Sequence, residues 1–379
     1  MTAHAQDPGP QTRAGLETAA HRETSGPAPR GPYDEEAELL GQLSEAAGVS
    51  GWEGEVRGII RGQLEKMGVC YRTDHLGNII AYRGPDDEHA GLRVMLAAHM
   101  DEVGLVVSGI DKSGLLRFRK VGGIDDRVLV SKRVLVGKSR VPGVIGAKPI
   151  HLQQPKEQEN PFRAEELFVD IGARNKEEAE KVAKVGDPIV FATRFTRLGE
   201  RRARGKAFDD RAGCLVLLGA LREKYRVPVY GVFTVQEEVG SRGAQVAAYA
   251  IEPRLGLALE GTVCSDTPGS EEHLQATRMG AGPAISVMDA DTIHNRRVIE
   301  RLVEVARKAG IPYQLRRTTS GGNDAGRIHL ARSGAAAGGL SVPCRYIHSP
   351  ASVLDLEDLV NTRRLLVEFL HSLEEGWTP

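Results

Sequence analysis

Two histidines and six carboxylates in this 379-residue chain fall at positions where a folded protein could use them together. His99 and Asp101 follow an apolar run at 92–98, and Asp209 and Asp210 stand at a helix entrance. Glu237 and Glu238 follow a run at 227–235, Glu260 follows 255–259, and His348 lies beyond 339–342. Charged groups at this density are buried only when paired or when they hold a cation. Imidazoles with carboxylates make the donor inventory of a dinuclear divalent-metal site, suited to zinc, cobalt or manganese. No cysteine cluster stands beside them to build a structural thiolate site. The adjacent pair Glu237 and Glu238 fits such a site, because neighbours in an extended segment point in opposite directions. One can face a metal while the other faces the substrate side.

Each residue alone has an ordinary reading. His99 reads as a core histidine, Asp209 and Asp210 as caps of the following helix, and Glu237 and Glu238 as a solvated strand end. Glu260 reads as a surface acid and His348 as a turn residue. What favours chemistry is that all of them map to one edge of one sheet, on separate strands. That edge, beyond the carboxyl ends of the strands, is where open α/β sheets bind ligands.

The elements that must position these residues are legible in the periodicity. Residues 53–68 place Val56, Ile59, Ile60, Leu64 and Met67 on one helical face, with strands expected at 78–82 and 92–98. After residue 205, helices at about 210–224 and 296–309 alternate with strands at 227–235, 255–259, 313–317 and 339–342. A last helix starts at Asp355, a natural N-cap. This alternation predicts an α/β fold, a mostly parallel sheet with helices on both faces. Between them the texture changes: short β-rich runs at 115–121, 127–136, 166–171 and 188–195 alternate with Gly and Pro turns, with one helix expected at 175–184. A small β-barrel-like domain inserted into the catalytic domain is the expectation. The divisions are a disordered tail over 1–33, catalytic segments at 34–111 and 205–379, and the inserted dimerisation domain at 112–204.

Composition bounds the function. Hydrophobic content of 41% and charged content of 27% are those of a globular protein. A net charge of −1, from 50 basic and 51 acidic residues, provides no bulk attraction for nucleic acid or an anionic membrane. No apolar run approaches the ~20 residues of a membrane helix, and the first residues lack the pattern of a signal peptide. Cys70, Cys214, Cys264 and Cys344 are scattered and read as free thiols, which favours a reducing, cytoplasmic location.

Five strings carry a resemblance. They are Ala98-His99-Met100-Asp101-Glu102-Val103-Gly104, Val141-Pro142-Gly143-Val144-Ile145-Gly146-Ala147-Lys148-Pro149, Lys206-Ala207-Phe208-Asp209-Asp210-Arg211-Ala212-Gly213, Gln236-Glu237-Glu238-Val239-Gly240 and Arg345-Tyr346-Ile347-His348-Ser349-Pro350. Together, and in this order, they resemble the tetrahedral, deblocking and glutamyl aminopeptidases, over roughly residues 34–373. The resemblance implies two divalent metal ions, zinc or alternatively cobalt or manganese. Asp209 would bridge them, His99 and Glu260 would complete one, and Glu238 and His348 the other. Asp101 would hold the His99 ring, and Glu237 would act as general base on a metal-bridging water. It also implies a cis peptide between Asp209 and Asp210, peptide substrates, and dimers joined through the inserted domain into a tetrahedral dodecamer. Two departures stand out: Glu260 replaces a common Asp, and Asn323 replaces a common Thr.

Other hydrolases remain in view. A carboxypeptidase or an N-acyl deacylase could use the same ligands, whereas an endoglucanase needs two carboxyls flanking a bond and leaves the histidines without a purpose. A non-enzymatic metal scaffold leaves Glu237 unused. The Gly-rich stretch at 321–326 lacks the ending of a phosphate loop, and His151, His294 and His329 read as packing, hinge or surface residues.

Overall fold

A computed structural model describes residues 31–379, apart from 88–90, 374–376 and 378. The tail expected over 1–33 therefore lies, up to residue 30, outside the described residues. Tyr33 packs against the main core.

The strand Val94–His99 shows how the sheet is built. Val94, Leu96 and Ala98 enter one apolar cluster and Met95 and Ala97 another, all of them fully buried. A strand that is apolar on both faces must be covered on both. One cover is a layer of helices. Phe208–Ala220 is buried almost all round, and Arg296–Lys308 contributes Val298, Leu302, Val305 and Ala306 at helical spacing. Asp34–Glu45, Gly54–Lys66 and Leu356–Ser372 join the same layer. The other cover is Arg242–Ile251, through Ala244, Ala247, Ala248 and Ile251. Local capping sets two of these helix starts. Asn295 accepts from the backbone N–H groups of Arg297 and Val298, and Asp355 accepts from that of Glu357.

Across the sheet the strands run in the order Tyr71–Thr73, Ile79–Arg83, Val229–Thr234, Val94–His99, Leu255–Val263, Ala336–Arg345, Ser352–Asp355, Arg202–Gly205 and Thr196–Leu198. The central strands from Val229–Thr234 to Ala336–Arg345 are mutually parallel. Both flanks are antiparallel, so the sheet is mixed, with its parallel part at the centre. The strands Gly104–Ile110, Leu116–Val121, Arg133–Val136, Val141–Gly146, Phe168–Asp170 and Pro188–Phe191 close into a separate antiparallel barrel. Leu105, Phe118, Val134, Val136, Val169 and Ile189 fill its interior.

Details differ from the sequence reading. The barrel begins at Gly104 rather than 112. Residues 196–204, expected in the insertion, extend the large sheet beside Ser352–Asp355. The run at 127–136 is not one strand. Asp125 caps a short turn at Asp126–Val128, and Ser131 has a positive φ of 63°, so pairing starts at Arg133. The helix expected at 175–184 is limited to Lys176–Ala179; beyond it the chain passes through turns, with Ala183 packed beside Ala179 in the barrel core. The helix Arg242–Ile251 was not foreseen.

Candidate metal centre

The parallel strands end together, and their ends carry the acids and imidazoles. His99 closes Val94–His99, with Asp101 two residues on. Glu237 and Glu238 follow Val229–Thr234 across a bend in which Gln236 has a φ of +57°. Glu260 lies within Leu255–Val263, opposite Ser341, so this strand runs past the end expected at 259. His348 follows Ala336–Arg345 and has a φ of +55°. Left-handed backbone at a non-glycine residue is uncommon and concentrates where side chains are aimed for function. Asp209 enters from the head of Phe208–Ala220, where Asp209 (φ −86°, ψ 102°) and Asp210 (φ −124°, ψ 42°) leave helical geometry. The peptide between them is cis, as the resemblance implied.

These side chains converge around Asp209. Its Oδ1 is 3.3 Å from His99 Nε2, and its Oδ2 is 3.4 Å from His348 Nε2. Glu260 Oε2 lies 3.5 Å from His99 Nε2, and Glu238 Oε2 lies 3.6 Å from His348 Nε2. The result is two triads, His99–Asp209–Glu260 and Asp209–Glu238–His348, each with donor atoms within 4.8 Å of one another. Glu237 stands beside them, with Oε2 3.9 Å from His99 Nε2 and Oε1 3.4 Å from the Ser241 hydroxyl.

Both histidines are oriented from behind. His99 Nδ1 faces the backbone carbonyl of Asp101 at 3.2 Å and its carboxylate at 3.5 Å. His348 Nδ1 faces the carbonyl of Gly123, in the turn after Leu116–Val121, at 3.0 Å. A proton on each Nδ1 leaves each Nε2 lone pair aimed into the cradle, the tautomer of a metal-ligating histidine. Asp101 is fully buried. It accepts from Ser50 Oγ at 2.7 Å and from the backbone N–H groups of Glu237 and Glu238 at 3.0 and 3.1 Å. One carboxylate thus ties His99 to the loop that presents both glutamates. Asp210 turns away from the triads and accepts from the N–H groups of His99 and Gly213, pinning the helix head to the strand end.

The electrostatics are those of a site built for added positive charge. Burial raises Glu237 and Glu260 well above the ordinary carboxylate range and lifts Glu238 to about 7. Burial would also raise Asp209, but the two histidines outweigh it and hold its pKa below the usual value. Glu238 Oε1 and Glu260 Oε1 are buried without a hydrogen-bond partner. Orphaned buried carboxylate oxygens are costly in a finished protein. Nitrogen and oxygen donors around one shared carboxylate therefore fit two divalent cations.

Of the eight residues named from the sequence, the seven to which the resemblance gave a role lie here. His99, Asp209, Glu238, Glu260 and His348 form the triads, Asp101 sits behind His99, and Glu237 borders the cleft. Several supporting residues were missed. Ser50 comes from a distant loop. Gly123 carries a hint in the doublet with Gly122, whose φ is +78°, and a side chain at Gly123 would meet His348 Nδ1 at 3.4 Å. Asp324 is buried and accepts from Thr234 Oγ1 at 2.6 Å. Glu102, Lys206 and Arg211 form a buried network beneath the site. His294 is buried against Asp289 at 3.1 Å, and His329 bonds the carbonyl of Ala325, so neither joins the cradle. Asn323 lines the cleft in front of it, a space of about 410 Å³ that Asp291 and Arg316 also border.

Comparison with known proteins gives concordant results. A family profile described as M42 glutamyl aminopeptidase matches residues 77–365. Lysyl aminopeptidase of Pyrococcus furiosus is 35% identical over 354 residues, covering 90% of this chain and 99% of that protein. Among solved structures, a TET aminopeptidase from a marine-sediment Thaumarchaeota archaeon is 40% identical with a TM-score of 0.87, covering 91% and 99% of the two chains. The TET1 peptidase of Pyrococcus horikoshii, whose structure is described as assembling into a tetrahedron or a large octahedral shell, is 34% identical. Its TM-score is 0.80, over 89% and 99% of the two chains.

Proposed function

The chain belongs to the M42 glutamyl aminopeptidase family and is an aminopeptidase hydrolase, and from that premise we propose a dinuclear, metal-dependent mechanism centred on Asp209. The observation that carries it is the sharing of Asp209 between two triads whose histidines both present Nε2. His99, Asp209 and Glu260 would hold one divalent cation, and Asp209, Glu238 and His348 the other, with zinc the natural choice for this donor set and cobalt or manganese the alternatives. Bound cations supply the positive charge that makes water acidic and a peptide carbonyl electrophilic.

The chain's own residues do the rest. Asp101 fixes the His99 ring and, through two backbone N–H groups, the spacing of Glu237 from Glu238. Glu238 turns to the triad and Glu237 to the cleft, presented by a turn in which the Gly240 and Ser241 N–H groups close on the Glu237 carbonyl rather than by the extended backbone expected. Glu237 takes the proton of the attacking water and delivers it to the departing amine, the general base then acting as general acid. Ser241 beside its Oε1 steadies the carboxylate between those states.

Substitution of Glu237 by Gln tests the reading. The isosteric amide should retain bound metal while kcat on an aminoacyl anilide falls about 10²- to 10⁴-fold. Unchanged kcat with metal retained would remove Glu237 from the mechanism. A carboxypeptidase or N-acyl deacylase could use the same ligands, and activity on N-acetylated but not on free-amino substrates would favour that reading.

Self-association belongs to the same proposal. The relatives' assembly into closed shells and the separate barrel support a homo-oligomer, up to a tetrahedral dodecamer, by repeated two-fold contacts. Residues 112–204 remain the proposed dimerisation domain, although the barrel itself starts earlier. A cytoplasmic setting is supported by four free cysteines, three of them buried. Among the described residues no helix is long and apolar enough to cross a membrane. Light scattering that gives a monomer mass at high protein concentration would overturn the assembly.

A further inference from the structure

A second cleft, of about 850 Å³, meets the one in front of the cradle at Ile347 and His348. One of its walls comes from the barrel and its surroundings, at Asp125, Arg127, Lys132 and Arg133, and another from Arg194 and Arg204. Among its lining residues Asp125 is the one carboxylate, against five cationic side chains. Two of the five are neutralised locally. Arg127 Nε lies 2.9 Å from Asp125 Oδ2, and Arg194 reaches Glu45 Oε2 at 2.8 Å. The other three are not. The side chains of Lys132 and Arg133 have no ion pair or hydrogen bond among the described residues, and Arg204 reaches only the neutral Thr196 hydroxyl, at 3.1 Å. In a chain whose net charge is −1, three uncompensated cations lining one cleft make a local positive field, which the cleft focuses.

This placement has a consequence for a peptide whose amino terminus lies at the cradle. Its remaining residues have to leave past His348, and the basic cleft opens there. We propose that this cleft receives the part of the substrate on the carboxyl side of the scissile bond. Lys132, Arg133 and Arg204 select carboxylates there, supplied by acidic side chains or by the free carboxyl terminus of a short peptide. The inference rests on the aminopeptidase reading and adds a preference that no amino-terminal side chain can report.

The experiment compares kcat/KM for Leu-Ala-Glu-Glu, Leu-Ala-Gln-Gln and Leu-Ala-Lys-Lys, each with a free and an amidated carboxyl terminus. Leucine p-nitroanilide, which has no downstream residues, is the control. Exposed ion pairs each contribute a few-fold at most, so about a tenfold preference for the Glu over the Gln peptide is expected at low salt. It should shrink in 0.5 M NaCl, because exposed pairs are screened within about a Debye length. Lys132→Ala, Arg133→Ala and Arg204→Ala, singly and combined, should erase the preference and leave anilide hydrolysis unchanged. If amidation slows the Gln peptide, the terminal carboxylate is a ligand; if the Glu-over-Gln preference persists between the amidated peptides, the side chains are. Equal rates on the Glu and Gln peptides together with no loss on amidation in the wild-type enzyme, or a preference that survives the combined variant, would overturn the proposal. Loss of anilide hydrolysis in the wild-type enzyme would instead strike at the aminopeptidase reading itself.

Discussion

Replacing Asp101 by Asn changes one atom in the most densely bonded carboxylate behind the site, and its effect can be worked out bond by bond. Oδ1 accepts from Glu237 N at 3.0 Å, while Oδ2 accepts from Glu238 N at 3.1 Å and from Ser50 Oγ at 2.7 Å. With its oxygen in the Oδ2 place, Asn keeps two of these bonds and turns an NH2 group toward the Glu237 N–H, leaving a buried donor unsatisfied at about 1–3 kcal/mol. The surviving bonds lose their ionic component, which makes up roughly half the strength of such bonds. About 2–4 kcal/mol is then withdrawn from the loop carrying Glu237 and Glu238 and from the ring of His99. Only part of this falls on the cradle, and groups that orient ligands are typically worth 10- to 100-fold in metal affinity. The assay is competition for zinc against chelators of graded affinity, with kcat/KM measured at saturating metal and urea stability measured in parallel. Asp101→Asn should bind zinc about 10- to 100-fold more weakly. Unchanged zinc affinity alongside lowered stability would show that Asp101 merely braces the loop, and the link from Asp101 through His99 to the metal would be wrong.

Other expectations follow from single contacts. A Cβ at Gly261 would lie 2.8 Å from the Cα of Asp209 and 2.9 Å from the carbonyl of Phe208. Gly261→Ala must therefore displace Asp209 and should lower kcat/KM by roughly tenfold or more; wild-type kinetics would mean the segment yields harmlessly. Lys206 is buried with its ammonium 2.6 and 2.7 Å from the two oxygens of Glu102. Lys206→Met leaves that carboxylate with Arg211 and should cost about 3 kcal/mol in urea unfolding, and a neutral result would show that the pair is dispensable. Burial raises Asp358 to about 6. Its folded pKa thus exceeds the unfolded one, so the native state binds more protons between about pH 4 and 6, and this group's contribution to stability falls as pH rises through that window, by ~2 kcal/mol. Asp358→Asn should flatten that part of the urea-midpoint profile, and an unaltered profile would assign the slope elsewhere. Chelation should lower the thermal midpoint, and zinc at 100 times its Kd should restore about 2.7 kcal/mol; indifference to both would argue against cations in the cradle.

What could be read from the sequence, and what could not, divides along physical lines. Strands such as Val94–His99 announce themselves because they are apolar on both faces, and the helix Arg296–Lys308 because its apolar residues recur every three or four positions. The acids beyond these elements stand out as charges set against apolar runs. Interactions between segments far apart in the chain leave no such mark. Ser50 reaches Asp101, Gly123 orients His348, and Arg202–Gly205 pairs with Ser352–Asp355 only because the chain returns there. The helix Arg242–Ile251 is a different case. Gly243, Ala244, Ala247, Ala248 and Ile251 recur at helical spacing, so its buried face is legible in the sequence, though it is built of small side chains and was passed over.

Glu260 brings the two kinds of information together. A glutamate followed by glycine reads as the end of a strand, yet Leu255–Val263 continues through both residues in register with Ser341 and Val342. The glycine is there because the head of the helix Phe208–Ala220 presses on it, with the Asp209 backbone occupying the space a side chain would fill. Gly213, on the other side of that contact, has no room either: a Cβ there would meet the carboxylate of Asp210 at 2.3 Å and the carbonyl of Leu259 at 2.6 Å. Two glycines therefore bring the helix head down onto the strand, and this close approach sets Asp209 between the two histidines. With the strand continuing, Glu260 projects from rigid sheet rather than from a loop end. Its longer arm still brings Oε2 within 3.5 Å of His99 Nε2 and leaves Oε1 buried and unpartnered. The extra methylene relative to aspartate is thus absorbed by a residue anchored in the sheet, which is why the exchange leaves the triad closed.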